Sequence, residues 1–95
     1  MPKAYLIARA TVTDPEAWSK YAAAGGEVMK KFGGVPIARG GKSEVAEGNG
    51  RPRNVIIEFP SYEQAHAYAF GPEYAEVKKL RAGAGEIDIV IVEGA

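Results

Sequence analysis

The stretch Ala4–Trp18, AYLIARATVTDPEAW, contains one complete predicted element and the start of the next. Five alternate residues of its first part are apolar: Ala4, Leu6, Ala8, Ala10 and Val12. Alternation of this kind is typical of a β-strand with one buried face, so Ala4–Val12 is predicted to be a strand. Asp14 as N-cap, Pro15 at the first helical position and Glu16 in the first turn then predict the start of a helix.

The predicted helix continues to Gly33-Gly34, since glycine adopts the left-handed conformation that ends helices at little cost. A second strand is predicted over Val35–Arg39 and Ser43–Glu47. The pair Gly40-Gly41 interrupts this strand as a β-bulge would. Gly48-Asn49-Gly50 supplies the backbone freedom that the tight turn of a hairpin needs, so the next strand is expected to return beside it.

The second half of the chain is predicted to contain a strand, two helical segments and a last strand. Ser61 and Gln64 have the spacing of a capping box, which predicts the start of the second helix. Gly71-Pro72 breaks this helix, because proline has no amide hydrogen to donate. The predicted bounds are Asn54–Phe59 for the third strand, Glu73–Arg81 for the segment after the break and Glu86–Glu93 for the last strand.

The order β-α-β-β-α-β predicts an α+β, ferredoxin-like (split βαβ) fold in one domain over residues 1–95. Its four-stranded antiparallel sheet would carry both helices on one face. The alternation places on the uncovered face Tyr5, Ile7, Arg9, Asn54, Ile56, Glu58, Asp88, Val90 and Val92. A partly apolar exposed face is typical of an interface or a ligand groove. Two such sheets are predicted to pack face to face in a homodimer.

The composition excludes several classes of function. Twelve basic residues balance twelve acidic ones, which leaves no strong positive field for nucleic acid or an anionic membrane. The chain has no cysteine and one histidine, so disulfides, thiolate metal sites and a cysteine nucleophile are excluded. No apolar run approaches the ~20 residues of a membrane span. We expect a soluble, cytoplasmic protein with no metal and no organic cofactor.

Five motifs occur in an order that has a counterpart among known proteins: Thr13-Asp14-Pro15, Arg39-Gly40-Gly41, Glu58-Phe59-Pro60-Ser61, Pro72-Glu73-Tyr74 and the segment Asp88–Gly94. Through them the chain resembles small bacterial proteins of the "domain of unknown function 1330" family. That family is similar to the dimeric α+β barrel superfamily, which includes cofactor-free monooxygenases, muconolactone isomerases and stress-responsive barrel proteins. The resemblance implies a homodimer with a ligand cleft between sheet and helices, and no particular reaction.

Arg39 beside Gly40 and Gly41 is the first candidate for a site. An arginine next to permissive backbone can hold a carboxylate or an enolate through a forked pair of hydrogen bonds. In the alternative interpretation the two glycines form a bulge and Arg39 pairs with an acid such as Glu58.

Arg9, Glu58 and Asp88 are charged positions within otherwise apolar strands. If they line a cleft, a carboxylate with a raised pKa acts as general base while an arginine stabilises an oxyanion. If they form a closed cluster of ion pairs, they fix the register of the dimer. The first and third strands are expected to be neighbours, which brings Arg9 or Tyr5 near Asn54 or Glu58. Tyr5 and Asn54 are therefore candidate ligand-binding residues.

His66 and Tyr74 complete the set of candidates. His66 is the one side chain that ordinarily titrates near neutral pH, although helical spacing points it toward the edge or the solvent. In the alternative interpretation, His66 is a surface histidine with no role in catalysis. Tyr74 follows the break at Gly71-Pro72, where it either packs in the core or forms an aromatic wall over a small apolar ligand.

Two functions are compatible with these residues. In the first, the dimer is an enzyme without metal or organic cofactor that acts on a small, partly aromatic or enolisable molecule. Arg39 and Arg9 would stabilise negative charge, and Glu58, Asp88 or His66 would move protons. In the alternative, a non-catalytic small-molecule-binding or stress-related dimeric module uses the same residues to shape a pocket.

Overall fold

A computed structural model describes residues 2–95 of the chain. Its elements are β1 (Ala4–Val12), α1 (Pro15–Lys31), β2 (Val35–Arg39), β3 (Arg53–Phe59), α2 (Tyr62–Ala69), α3 (Pro72–Lys78), a 3-10 turn (Lys79–Arg81) and β4 (Gly85–Glu93). The sheet is antiparallel with strand order β2-β3-β1-β4. This confirms the predicted α+β ferredoxin-like fold, including the break between α2 and α3. No helix among the described residues is long and apolar enough to cross a membrane.

Both longer helices begin where the capping residues predict. The Asp14 side chain accepts a hydrogen bond from the backbone amide of Ala17 at 3.3 Å. The Ser61 hydroxyl accepts one from the backbone amide of Gln64 at 3.2 Å. Each cap satisfies an amide that has no partner within its helix and contributes about 1 kcal/mol. The caps thereby fix where each helix leaves the sheet.

The predicted strand over Ser43–Glu47 is wrong, because β2 ends at Arg39 and the chain runs as an exposed loop to β3. Gly40 turns the backbone away from the sheet with φ +68°. Val45 in this loop is 56% exposed, so the loop buries little apolar surface that would hold it as a strand. The bulge also lies elsewhere than predicted. The register shifts between Pro36 and Ala38 rather than at the glycine pair.

The core lies between the helices and one face of the sheet. It is built from alternate strand residues and from the inner faces of α1 and α2, including Ala4, Leu6, Ile57, Phe59, Val28, Met29, Ala65 and Tyr68. Phe59 is fully buried, and burial of a side chain of this size contributes about 2–3 kcal/mol. The other sheet face is uncovered, and there Val90 is 55% and Val92 45% exposed. The helices therefore lie on one face, as predicted.

Candidate functional site

A cavity of about 120 Å³ lies between α1 and the helix-covered face of the sheet. Most of its wall is apolar, including Leu6, Trp18, Met29, Val55, Ile57 and Ile89. An apolar cavity of about 150 Å³ in a protein core holds a benzene molecule. The volume here is therefore suited to a molecule of about one ring, with any larger group extending toward the opening.

Two tyrosines, Tyr21 of α1 and Tyr74 of α3, line one part of the cavity. The hydroxyl oxygens of Tyr21 and Tyr74 lie 2.5 Å apart, and the two rings meet edge to face. Tyr74 is 4% exposed and Tyr21 is half-buried, so this hydrogen bond is partly shielded from water. Within residues 2–95 neither hydroxyl has another hydrogen-bond partner. A pair of hydroxyls has two hydrogens and this bond uses one, so one remains to be donated to a bound molecule.

Burial keeps the hydroxyls of Tyr21 and Tyr68 protonated. Burial raises the pKa of Tyr21 far above its ordinary value, and the neighbouring Tyr74 raises it further. The guanidinium of Arg81, centred 5.2 Å from the Tyr21 ring, lowers this pKa by a smaller amount. Burial also raises the pKa of Tyr68, which lines the same cavity. At neutral pH the hydroxyls of Tyr21 and Tyr68 are therefore uncharged and able to donate a hydrogen bond.

Two arginines line the cavity on the side of β2 and β3. Arg39 lies opposite Val55 in the sheet, and Arg53 is two residues from Val55 on the same strand, so both side chains lie on the cavity face. Gly40 approaches Arg53 closely, because a Cβ placed on Gly40 would lie 2.5 Å from Nη1 of Arg53. The cavity thus has tyrosine hydroxyls in one part of its wall and guanidinium groups in another.

The family model described as Domain of unknown function (DUF1330) matches residues 3–95. The chain belongs to this family. Among curated proteins no match to it is found.

Solved structures similar to this DUF1330 protein share its fold. A protein of unknown function from Rhodopseudomonas palustris superposes with a TM-score of 0.77 at 18% identity, over 99% of this chain and 83% of that one. A dimeric ferredoxin-like protein of unknown function from Bacteroides fragilis gives 0.62 at 17% identity, over 96% and 95%. SnoaB, a cofactor-independent oxygenase from Streptomyces nogalater, gives 0.69 at 11% identity, over 100% and 95%. These superpositions show a common fold.

Five of the candidate residues of this DUF1330 protein lie on the uncovered sheet face: Tyr5, Arg9, Asn54, Glu58 and Asp88. The register places Tyr5 opposite Glu58 and Arg9 opposite Asn54, so the predicted proximity is confirmed. Residues opposite one another project to the same side of a sheet, and this side is away from the cavity. The sheet therefore separates these five candidate catalytic and ligand-binding residues from Arg39 and Tyr74.

The two carboxylates on the uncovered face have cationic partners. Glu58 lies 3.2 Å from the ammonium group of Lys3. Asp88 accepts a hydrogen bond of 2.9 Å from Nε of Arg51, and this bond raises the pKa of Arg51. The alternative pairing of Arg39 with Glu58 is not formed, because these side chains lie on opposite faces of the sheet.

His66 lies on the exposed side of α2, as its helical spacing predicts. Its ring stacks on Phe70 with centroids 4.5 Å apart and is 6.2 Å from the ring of Tyr62. The structure does not bring it to the cavity. In the part of the chain that the structure describes, no three histidine, aspartate or glutamate side chains are grouped to hold a metal ion.

Two residues of the cavity were missed as site candidates. Tyr21 has the helical spacing of a core residue, and only the folded chain shows that its hydroxyl meets that of Tyr74. Arg53 precedes the predicted start of β3 by one residue. Its even spacing from Val55 and Ile57 is the sequence signal that could have placed it on the cavity face.

Proposed function

We propose that this protein is an enzyme that needs neither a metal nor an organic cofactor and that acts on a small, enolisable, ring-sized molecule in the cavity. The observation that supports this most directly is the hydroxyl pair of Tyr21 and Tyr74 beside the apolar part of the cavity wall. A hydroxyl hydrogen donated to a carbonyl oxygen stabilises the negative charge that develops when the carbonyl becomes an enolate. Such a donor is most effective where water is excluded.

The substrate class follows from the groups that line the cavity. Among the described lining residues there is no carboxylate and no imidazole, so the proton must leave to solvent at the opening. This requires a molecule that is already acidic, such as a 1,3-dicarbonyl or a phenol. The bound enolate then takes a proton at another carbon, as in an isomerase, or reacts with dioxygen, as in a monooxygenase.

In the dioxygen route, the carbanionic carbon of the enolate forms a bond to dioxygen, and a proton from solvent completes a hydroperoxide. Loss of water, which removes the second hydrogen of that carbon, leaves a new carbonyl group. The substrate supplies the electrons, so the reaction needs no external reductant. SnoaB shares the fold and is a cofactor-independent oxygenase, which supports this route.

The proposal is tested with methyl 3,5-dioxocyclohexanecarboxylate, a single-ring 1,3-dicarbonyl whose enolate has its own ultraviolet absorption band. We expect saturating protein to lower the apparent pKa of this probe by about 1, which corresponds to a tenfold preference for the enolate. The double substitution Tyr21→Phe/Tyr74→Phe, which removes both hydroxyls, should abolish the effect. Tyr62→Phe, at a tyrosine outside the cavity, should retain it. An unchanged apparent pKa with the unmodified protein would overturn the proposal.

Turnover is measured by proton NMR of the same probe under air and under argon. A product that forms only under air identifies the monooxygenase-like reaction, and one that forms under both identifies the isomerase-like reaction. A probe bound as its enolate but recovered unchanged supports the second candidate, a non-catalytic binding or stress-related module. That candidate is favoured by the lack of a carboxylate or imidazole among the described lining residues.

We also propose that the functional unit is a cytoplasmic homodimer formed through the uncovered sheet face. Val35, Val90 and Val92 are about half exposed on this face, and burying such apolar surface favours association. The similar structure from Bacteroides fragilis is described as dimeric. Native mass spectrometry of the purified protein should show twice the chain mass. A monomer at micromolar concentration would contradict the dimer.

A further inference from the structure

Two cationic side chains stand next to each other at the cavity. Arg39 and Arg53 belong to adjacent strands and occupy the same face in diagonal positions, which separates their Cα atoms by about 7–8 Å. Guanidinium groups on long side chains at this spacing can reach one common ligand. Arg39 is exposed and Arg53 half-buried, so the pair lies where the cavity meets solvent.

Neither arginine has an acidic partner among residues 2–95. The ion pairs in this part of the chain use Lys3, Lys30, Lys31, Arg51 and Lys79 as their cations. Arg51 shows the contrast, since it lies between Glu86 and Asp88. Two like charges side by side repel each other, and an anion bound between them would offset that repulsion.

Gly40 leaves room for the Arg53 guanidinium beside the turn that follows β2. Because Gly40 has no side chain, Nη1 of Arg53 can lie 2.5 Å from the position a Cβ would take. The backbone of Gly40 also has a φ of +68°, which residues with side chains rarely adopt. Its amide donates to the carbonyl oxygen of Asn54 at 2.9 Å, which ties this turn to β3.

From this arrangement we infer that Arg39 and Arg53 bind a carboxylate of the substrate. The planar guanidinium group matches a carboxylate through two parallel hydrogen bonds. Tyr74 lies on the same face but nearer the β4 edge of the sheet, where it lines a neighbouring pocket with Ile87 and Ile89. The substrate is therefore a monocyclic carboxylic acid with its enolisable carbonyl away from the carboxylate, an assignment that rests on the proposed function.

The test compares 3,5-dioxocyclohexanecarboxylate with its methyl ester, which has the same ring and no charged carboxylate. Dissociation constants are measured by ultraviolet titration at low salt. We expect the acid to bind about 10–100 times more tightly than the ester, as charge-assisted hydrogen bonds allow. Arg39→Gln and Arg53→Gln should each reduce this preference to threefold or less. Lys42→Gln, which removes the same charge at a nearby exposed position, should retain it.

Equal affinities for the acid and the ester would overturn the carboxylate site. This holds even if the protein lowers the apparent pKa of the ester, which is the result that the proposed function requires. A preference that survives both arginine substitutions would also overturn it. Conversely, a preference that depends on the arginines, with no change in the ester's apparent pKa that depends on the Tyr21 and Tyr74 hydroxyls, would support the carboxylate site and contradict the proposed enzyme. Circular dichroism checks folding, and if Arg53→Gln does not fold, the exposed Arg39 decides the outcome.

Discussion

The hydroxyl oxygens of Tyr21 and Tyr74 are 2.5 Å apart although 53 positions separate the residues in the chain. This hydrogen bond joins α1, which covers the sheet, to α3, which follows the break after α2. Edge-to-face packing of the two rings accompanies it. The same pair therefore closes the helical layer and provides the hydrogen-bond donor of the proposed site.

The Tyr21–Tyr74 pair should show energetic coupling. Tyr21→Phe and Tyr74→Phe each remove one partner of a partly shielded hydrogen bond, so each should lower the free energy of unfolding by about 1 kcal/mol. In the double variant the losses should not add, and the coupling energy should be about 1 kcal/mol. Urea unfolding of the four proteins measures this value. Strictly additive losses would contradict a hydrogen bond between these hydroxyls in solution.

Stability should fall in alkaline solution because burial raises the pKa of Tyr68 above its ordinary value of 10.0. Above pH 10 the unfolded chain releases this proton while the folded chain retains it, so the unfolded state is favoured as the pH rises. The expected loss is about 1.4 kcal/mol per pH unit for each such tyrosine. Urea unfolding between about pH 10 and 11 should show a shallower decline for Tyr68→Phe than for the unmodified protein, and equal declines would refute this origin.

Gly40 and Gly41 offer a matched pair of substitutions. Gly40→Ala places a side chain at φ +68° and against Arg53, so it should lower the free energy of unfolding by about 1–2 kcal/mol. It should also reduce the preference for the carboxylic acid over its ester several-fold, because it displaces the guanidinium. Gly41→Ala meets no atom within 4 Å and should leave both quantities close to their original values. Identical behaviour of the two variants would argue against the positioning of Arg53 by Gly40.

The order of elements could be predicted because its signals are local. The alternation in Ala4–Val12, the cap at Asp14 and the break at Gly71-Pro72 each act within a few residues, and the structure contains the corresponding elements. Ser43–Glu47 lacks a comparable signal. This segment contains too few apolar residues to hold it against the sheet after Gly40 turns the chain away.

The candidate site was less accessible to sequence reasoning, because it depends on contacts between distant segments. Glu58 and Asp88 are candidates because they are charged residues within apolar strands. The alternation of side chains along a strand nevertheless places them on the face opposite the cavity. Arg39 and Tyr74 can be identified as candidate site residues from their neighbours in the sequence. The partners that give them a chemical role, Arg53 and Tyr21, become visible only when β2 lies beside β3 and α1 beside α3.

Val90→Lys should weaken the proposed dimer. Val90 is 55% exposed at the middle of β4 on the uncovered sheet face, opposite Ile7. A lysine there would place one charge from each protomer in an apolar interface, so the dimer dissociation constant should rise at least tenfold. Leu80→Lys is the control, because Leu80 is 46% exposed in the 3-10 turn outside this face. Analytical ultracentrifugation over a concentration series should show the Val90 variant dissociating first. If only the Leu80 variant dissociates, the interface lies on the helical side of the molecule.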